Sequence, residues 1–165
     1  MGAKRVLFVC TGNSCRSVMA EGLLEHRLKQ LAPRLSEPID VDSAGLCAAD
    51  GMPASRETVT LLQREGIDRS DHLTKTLTDE MIRQADLILA MEQFHVDEML
   101  RRVPTASGKA HLLARFGLSQ PSGEREANIP DPIGKPVEVY EVCCATIREA
   151  VERVAQSLIA LQPEP

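Results

Sequence analysis

The stretch Val6-Leu7-Phe8-Val9-Cys10-Thr11-Gly12-Asn13-Ser14-Cys15-Arg16-Ser17 constrains the chain more than any other, because it runs an apolar segment into a short polar loop and the loop into a helix. Val6 to Cys10 is continuously apolar, which reads as a strand buried on both faces. Ser17, with Glu21 four residues on, opens an amphipathic helix carrying Val18, Met19, Leu23, Leu24 and Leu28. The loop therefore lies at a helix N-terminus. Unpaired backbone N–H groups and the positive end of the helix dipole suit a tetrahedral oxyanion such as phosphate there. Gly12 and Asn13 tolerate the positive φ that an inward-turning backbone needs. Arg16 offers a planar fork able to grip two phosphate oxygens. Cys10, at the strand end and facing the same donors, is expected to be held largely as thiolate near neutrality, and a thiolate beneath a bound phosphoryl group is a nucleophile. Taken alone, a Cys and an Arg separated by five residues is a weak pattern. Its competitor is a buried structural thiol beside a surface charge.

The rest of the chain repeats the alternation of strand and helix. Leu31-Ala32-Pro33-Arg34 ends the first helix, and Ile39 to Ala44 reads as a second strand before a Gly45 turn. Ser55 caps a helix with Val59, Leu61 and Leu62, closed by Gly66-Ile67. Thr78-Asp79-Glu80 starts a short helix, Leu87 to Met91 is a buried strand, and a helix follows from Gln93 to Arg102. Ala110 to Leu113 is the fourth strand. Gly117 to Pro136 reads as a long surface loop, and loops of that length are usually functional. Val137 to Leu161 is the last helix, with Val139, Val142, Cys143, Ile147, Val151, Val154, Leu158 and Leu161 on its apolar face. Such alternation specifies an α/β fold with a parallel sheet covered on both sides, and ligands in these sheets bind beyond the carboxyl ends of the strands. Cys10 lies at such an end.

The segment Cys10-Thr11-Gly12-Asn13-Ser14-Cys15-Arg16-Ser17 resembles the phosphate-binding loop of the low-molecular-weight protein-tyrosine phosphatases. That superfamily also holds certain arsenate reductases and bacterial protein-arginine phosphatases. Further matching segments are Asp42-Ser43-Ala44-Gly45, Gly66-Ile67 leading to His72, Ala85 to Met91, and Asp131-Pro132, so the likeness runs almost end to end. Val18 departs from it, standing where the family usually has Pro, which weakens the helix start without removing any chemistry. The resemblance implies a four-stranded parallel sheet in the order 2-1-3-4 with helices on both faces, a three-layer sandwich. It also implies that Asp131 is the general acid and then base, a residue that sequence alone reads equally as a turn beside proline. Thr11, Gly12, Asn13, Ser14, Cys15 and Ser17 are then the phosphate-binding residues. Ser17 is placed to stabilise the Cys10 sulfur, and Asn13, Ser43 and His72 to hold the loop in shape. Cys15 lies near enough along the curled loop for a reversible disulfide with an oxidised Cys10.

Composition bounds the remainder. A chain of 165 residues that is 43% hydrophobic is expected to form one domain, 1–165, with its own core. A net charge of -5 argues against nucleic acid or an anionic membrane as the main partner. No apolar run approaches the roughly 18 residues that span a bilayer, and the chain enters its first strand almost at once, so a cytoplasmic location is expected. Five cysteines without paired clusters suit neither a secreted disulfide framework nor a zinc site, and no metal or cofactor is expected. The expected unit is a monomer acting on a phosphorylated protein.

Three readings of the activity compete with a covalent phosphatase leaning to phosphoarginine. A phosphotyrosine-specific enzyme of this family usually has a branched apolar residue at the Ser14 position and aromatic residues after Ser-Ala-Gly and after Asp-Pro. Here Ser14 is small and polar, Leu46-Cys47-Ala48 has no ring, and Ile133-Gly134 follows Asp131-Pro132. An arsenate reductase needs two relay cysteines in its middle, and none occurs between Cys47 and Cys143. A non-catalytic phosphate-binding module has no need of Cys10 or Asp131.

Overall fold

The computed structural model describes residues 4–31, 33, 35–119 and 127–162. Four strands, β1 (Lys4–Cys10), β2 (Ile39–Gly45), β3 (Leu87–Ala90) and β4 (Ala110–Leu112), form one parallel sheet in the order β2-β1-β3-β4. Among the described residues the helices beside them are α1 (Arg16–Leu31), α2 (Arg56–Gln63), α3 (Asp79–Gln84), α4 (Gln93–Arg102) and α5 (Val137–Ala160). Short 3-10 turns span Pro104–Gly108 and Leu113–Arg115. Among the described residues no helix is long and apolar enough to cross a membrane.

Strand β1 is central, and its alternating side chains feed two cores. Val6, Phe8 and Cys10 pack with α1 and α5 through Met19, Leu24, Ile147, Val151 and Val154. Leu7 and Val9 face the other way, onto Ile82 of α3 and Val96 and Met99 of α4. The continuous apolar run of β1 is the signature of a strand covered on both faces. The chain runs from β1 to β2 on one side and returns to β3 on the other, so the order reverses between β1 and β3. A crevice opens at the carboxyl end of such a switch point. Register brings Cys10 opposite Gly45 in β2 and Val9 opposite Ala90 in β3.

Two expectations from the sequence are corrected here. On α5 the buried stripe is Tyr140, Cys143, Cys144, Ile147, Val151, Val154 and Leu158, whereas Val139, Val142 and Leu161 are exposed. The stripe keeps the i, i+3, i+4 spacing but is turned by one position, because Tyr140 rather than its valine neighbours enters the core. The segment from Gly117 to Pro136 is not wholly a surface loop either. Residues 120–126 lie outside the described ones, but Ala127, Ile129 and Pro132 are buried. Ile129 N–H donates to Met91 O at 2.9 Å, anchoring the segment at the end of β3.

Candidate active site

The loop between β1 and α1 is shaped by where its carbonyls go. Thr11 O accepts from Cys47 N–H and Ser14 O from Ser55 N–H, both at 2.9 Å, while Asn13 O accepts from His72 Nε2 at 2.9 Å. With these carbonyls bonded to surrounding segments, the loop curls around the sulfur, and Asn13 N–H reaches Cys10 Sγ at 3.2 Å. Asn13 has φ 54°, the one non-glycine residue with positive φ among those described. Gly45 permits the close approach of β2. A Cβ there would lie 2.5 Å from Thr11 O and 2.8 Å from Asn13 N.

Hydrogen-bond directions beneath the loop follow from Asn13. Its two Nδ2 protons go to Ser17 Oγ and Ser43 Oγ, each at 2.9 Å, and its Oδ1 accepts Lys75 N–H at 3.0 Å. Ser43 therefore spends its own proton on the Glu21 carboxylate. Ser17, its oxygen occupied by Asn13, has its proton free for Cys10 Sγ at 2.9 Å. A hydroxyl and a backbone N–H thus converge on one sulfur. Burial pushes the Glu21 carboxyl above its usual range, with Ser43 and Arg69 opposing the shift.

Arg16 is 1% exposed, and it is buried with partners. Nη1 donates to Ile129 O at 2.7 Å and lies 3.2 Å from Glu92 Oε2, while Nη2 is 3.5 Å from Asp131 Oδ2. Asp131 Oδ1 accepts Ile133 N–H at 3.1 Å, which fixes the turn after Asp131-Pro132. The β1–α1 loop, the end of β3 and the Asp131 segment therefore meet at one guanidinium. Three other thiols lie nearby. Cys143, close to Pro130 O, is pushed up to about 12, chiefly by burial, and burial also raises Cys144. Cys15 Sγ lies 3.3 Å from Ser55 Oγ and 3.9 Å from Tyr140 OH; all five cysteines are free thiols. Burial, followed by Cys15, pushes the Tyr140 phenol up to about 12.

Every residue singled out from the sequence is thus gathered around the β1–α1 loop. Cys10, Thr11, Gly12, Asn13, Ser14, Cys15, Arg16 and Ser17 form it or start α1, Ser43 and His72 brace it, and Asp131 faces it through Arg16. Ser14 is half-buried, with Oγ 3.6 Å from Cys15 Sγ. Sequence reasoning missed Glu92 and His95. Glu92 looked only like the polar end of a strand, and His95 sits 84 positions from Thr11, whose Oγ1 lies 2.9 Å from its Nε2. A Glu three residues before a His at a helix start was the available signal.

Comparison with known proteins agrees with this fold. Residues 5–162 match the family model described as low molecular weight phosphotyrosine protein phosphatase. The chain is 39% identical over 154 residues to a protein-arginine-phosphatase of Geobacillus stearothermophilus, covering 93% of this chain and 95% of that protein. It is also 39% identical over 132 residues to the low molecular weight protein-tyrosine-phosphatase Ptp of Acinetobacter johnsonii, covering 80% and 82%. Among solved structures, the YwlE arginine phosphatase from Geobacillus stearothermophilus superposes with a TM-score of 0.81 at 37% identity, covering 94% of this chain and 92% of that one. With its parallel sheet in the order 2-1-3-4 and residues 5–162 matched, this chain belongs to the low molecular weight phosphotyrosine protein phosphatase family.

Proposed function

We propose that the chain hydrolyses phosphorylated protein side chains through a cysteinyl-phosphate on Cys10 and acts on phosphoarginine in preference to phosphotyrosine. The Cys10 thiolate attacks phosphorus, and a phosphorus–sulfur bond forms as the bond to the side-chain nitrogen or oxygen breaks. Asp131 delivers a proton to that leaving atom. Arg16 and the loop N–H groups hold the oxygens of the transferring group. Water then attacks the cysteinyl-phosphate, Asp131 takes the water's proton, and inorganic phosphate leaves with the thiolate restored. Binding of substrate transfers one side of the Arg16 fork from Asp131 to phosphate, which frees the carboxyl group for its acid role.

The reading rests on the convergence of Cys10 Sγ, Ser17 Oγ and Arg16 within one loop, with Asp131 opposite. The lean toward arginine rests on Ser14. A phenyl ring is gripped by apolar or aromatic faces, whereas a guanidinium presents N–H donors that need acceptors. Ser14 places a hydroxyl in the loop, and the chain's single tyrosine, Tyr140, is buried beneath it instead of forming a wall. Identity does not weigh on this choice, being 39% to the arginine and to the tyrosine enzyme alike.

The test is kcat/KM on matched phosphoarginine and phosphotyrosine peptides. Wild type is expected to favour phosphoarginine, and Ser14→Ile to shift the ratio toward phosphotyrosine by about tenfold. A wild type that prefers phosphotyrosine, or a ratio unmoved by the substitution, removes the arginine assignment and leaves the phosphatase. Cys10→Ser is expected to lower turnover of p-nitrophenyl phosphate by about a thousandfold or more. Activity surviving that change would remove the covalent mechanism.

A further inference from the structure

His95 is fully buried beside the phosphate loop, and the mechanism above makes no use of it. Both of its ring nitrogens are engaged, and the first fixes the second. Nδ1 lies 3.0 Å from Glu92 N, a backbone N–H that can only donate, so Nδ1 carries no proton. The ring proton is on Nε2, 2.9 Å from Thr11 Oγ1, and Thr11 must accept it. One lone pair of the Thr11 hydroxyl is thereby spent on α4, and its own proton is left to donate elsewhere. Thr11 directly follows the nucleophile, is half-buried, and has its carbonyl fixed on the opposite side by Cys47 N–H at 2.9 Å.

We propose that His95 is a positioning residue for the phosphatase reaction, holding Thr11 with its hydroxyl proton turned toward the phosphoryl group in the loop. An unused O–H beside a bound oxyanion donates to it, and a donor fixed before substrate arrives needs no reorganisation during the reaction. The start of α4 then serves the loop twice. Glu92 meets Arg16 through its side chain, and its backbone N–H sets the tautomer that aims Thr11. A neutral ring suits the place. Burial first, and the neighbouring Arg16 guanidinium second, push the imidazole down to about 4, so near neutrality it donates without adding a second cation. Protonation would set an Nδ1–H against Glu92 N–H, two donors facing each other.

The inference rests on Cys10 as the nucleophile, and two isosteres separate positioning from simple support of α4. His95→Asn places a carbonyl where Nδ1 sits and keeps the acceptor for Glu92 N–H, but it has nothing that reaches Thr11. His95→Gln extends an amide N–H to where Nε2 sits and sacrifices the cap. Both are measured for kcat/KM on p-nitrophenyl phosphate and for Tm, together with Thr11→Val and the Asn/Val double variant. His95→Asn and Thr11→Val are each expected to lose about tenfold in kcat/KM, the double variant no more than either alone, and His95→Gln to stay within about threefold of wild type despite the lower Tm. A His95→Asn enzyme as active as wild type, a double variant whose loss is the product of the singles, or a His95→Gln as poor as His95→Asn would each overturn the proposal. Should His95→Asn fail to fold, Thr11→Ser and Thr11→Val decide it, since the hydroxyl must preserve activity and its absence must not. Turnover surviving in Cys10→Ser would count against the covalent reading alone, so the two failures are distinguishable.

Discussion

The phosphate loop and the segment carrying Asp131 meet at the same guanidinium but are held in place very differently. Asn13, at the heart of the loop, is fully buried; its side chain makes three hydrogen bonds and its backbone carbonyl a fourth. The Asp131 side chain is 38% exposed and is held by one backbone N–H and a 3.5 Å ion pair. The difference fits the roles proposed for each. A cradle for a developing oxyanion gains by being complete before the substrate arrives, since its dipoles then need no reorganisation. A carboxyl group that gives a proton to one atom and takes one from water must stay within reach of both. Substrate binding would also draw Arg16 away from it, so a tightly buried carboxylate would be the worse design.

The contrast predicts that damage to the loop costs stability and activity together, while damage to Asp131 costs activity alone. Asn13→Ala shows the larger effect. It removes three side-chain hydrogen bonds and asks alanine to adopt φ 54°. At about 1 kcal/mol for each bond and about 1 kcal/mol for the left-handed backbone, the expected loss is about 4 kcal/mol of unfolding free energy. Without Asn13, Ser17 is free to turn from the sulfur, and kcat is expected to drop about a hundredfold. A denaturant melt with a turnover assay on the same sample checks both. Full stability with lowered kcat would mean that the network acts only on the sulfur and does not hold the loop.

Asp131→Asn sharpens the other side. On a phosphopeptide with a poor leaving group kcat is expected to fall about a hundredfold, with a smaller loss on p-nitrophenyl phosphate, whose leaving group departs without help. Tm should barely move, because the asparagine still offers an oxygen to Ile133 N–H and the lost ion pair is part-exposed. An equal loss on both substrates would reduce Asp131 to a residue that shapes its segment.

The same contrast explains what the sequence could tell. Cys10, Asn13, Arg16 and Ser17 were readable because one strand, one loop and one helix start place them within eight positions, where local geometry decides everything. Asp131 needed the family likeness, since nothing local distinguishes an acid from a turn residue beside proline. Sheet order needed it too, because alternation of strands and helices leaves the order of a parallel sheet open. His95 and Glu92 were legible only as a capping pattern at a helix start, not as neighbours of the loop. Their partners Thr11 and Arg16 lie across the sheet switch point, and a histidine on a helix carries no mark of the side chain it will meet. On α5, Val139 and Val142 offered a more apolar stripe than Tyr140 and Cys144, yet the tyrosine is the residue whose ring fills the core while its hydroxyl reaches Cys15. Hydrophobicity scales rank such amphipathic side chains too low.

The smallest expected effect tests whether the rigid side carries an electrostatic penalty. Glu21 receives the Ser43 hydroxyl and has Arg69 Nη1 at 4.0 Å, yet burial outweighs both and raises its carboxyl above the ordinary 4.5. Between that ordinary value and the raised one, the folded chain binds more protons at Glu21 than the unfolded chain does, so this group's contribution to stability declines as pH climbs through the window. Above the window the deficit is constant. Glu21→Gln keeps a carbonyl oxygen for Ser43 and cannot ionise, so its denaturation midpoint should gain on that of wild type as pH rises from 4.5 toward neutrality and hold that gain thereafter. Urea midpoints for both proteins over that range provide the measurement. If wild type instead gained on the variant with rising pH, Ser43 and Arg69 would outweigh burial, and the network beneath the phosphate loop would be electrostatically favourable through to its outer end.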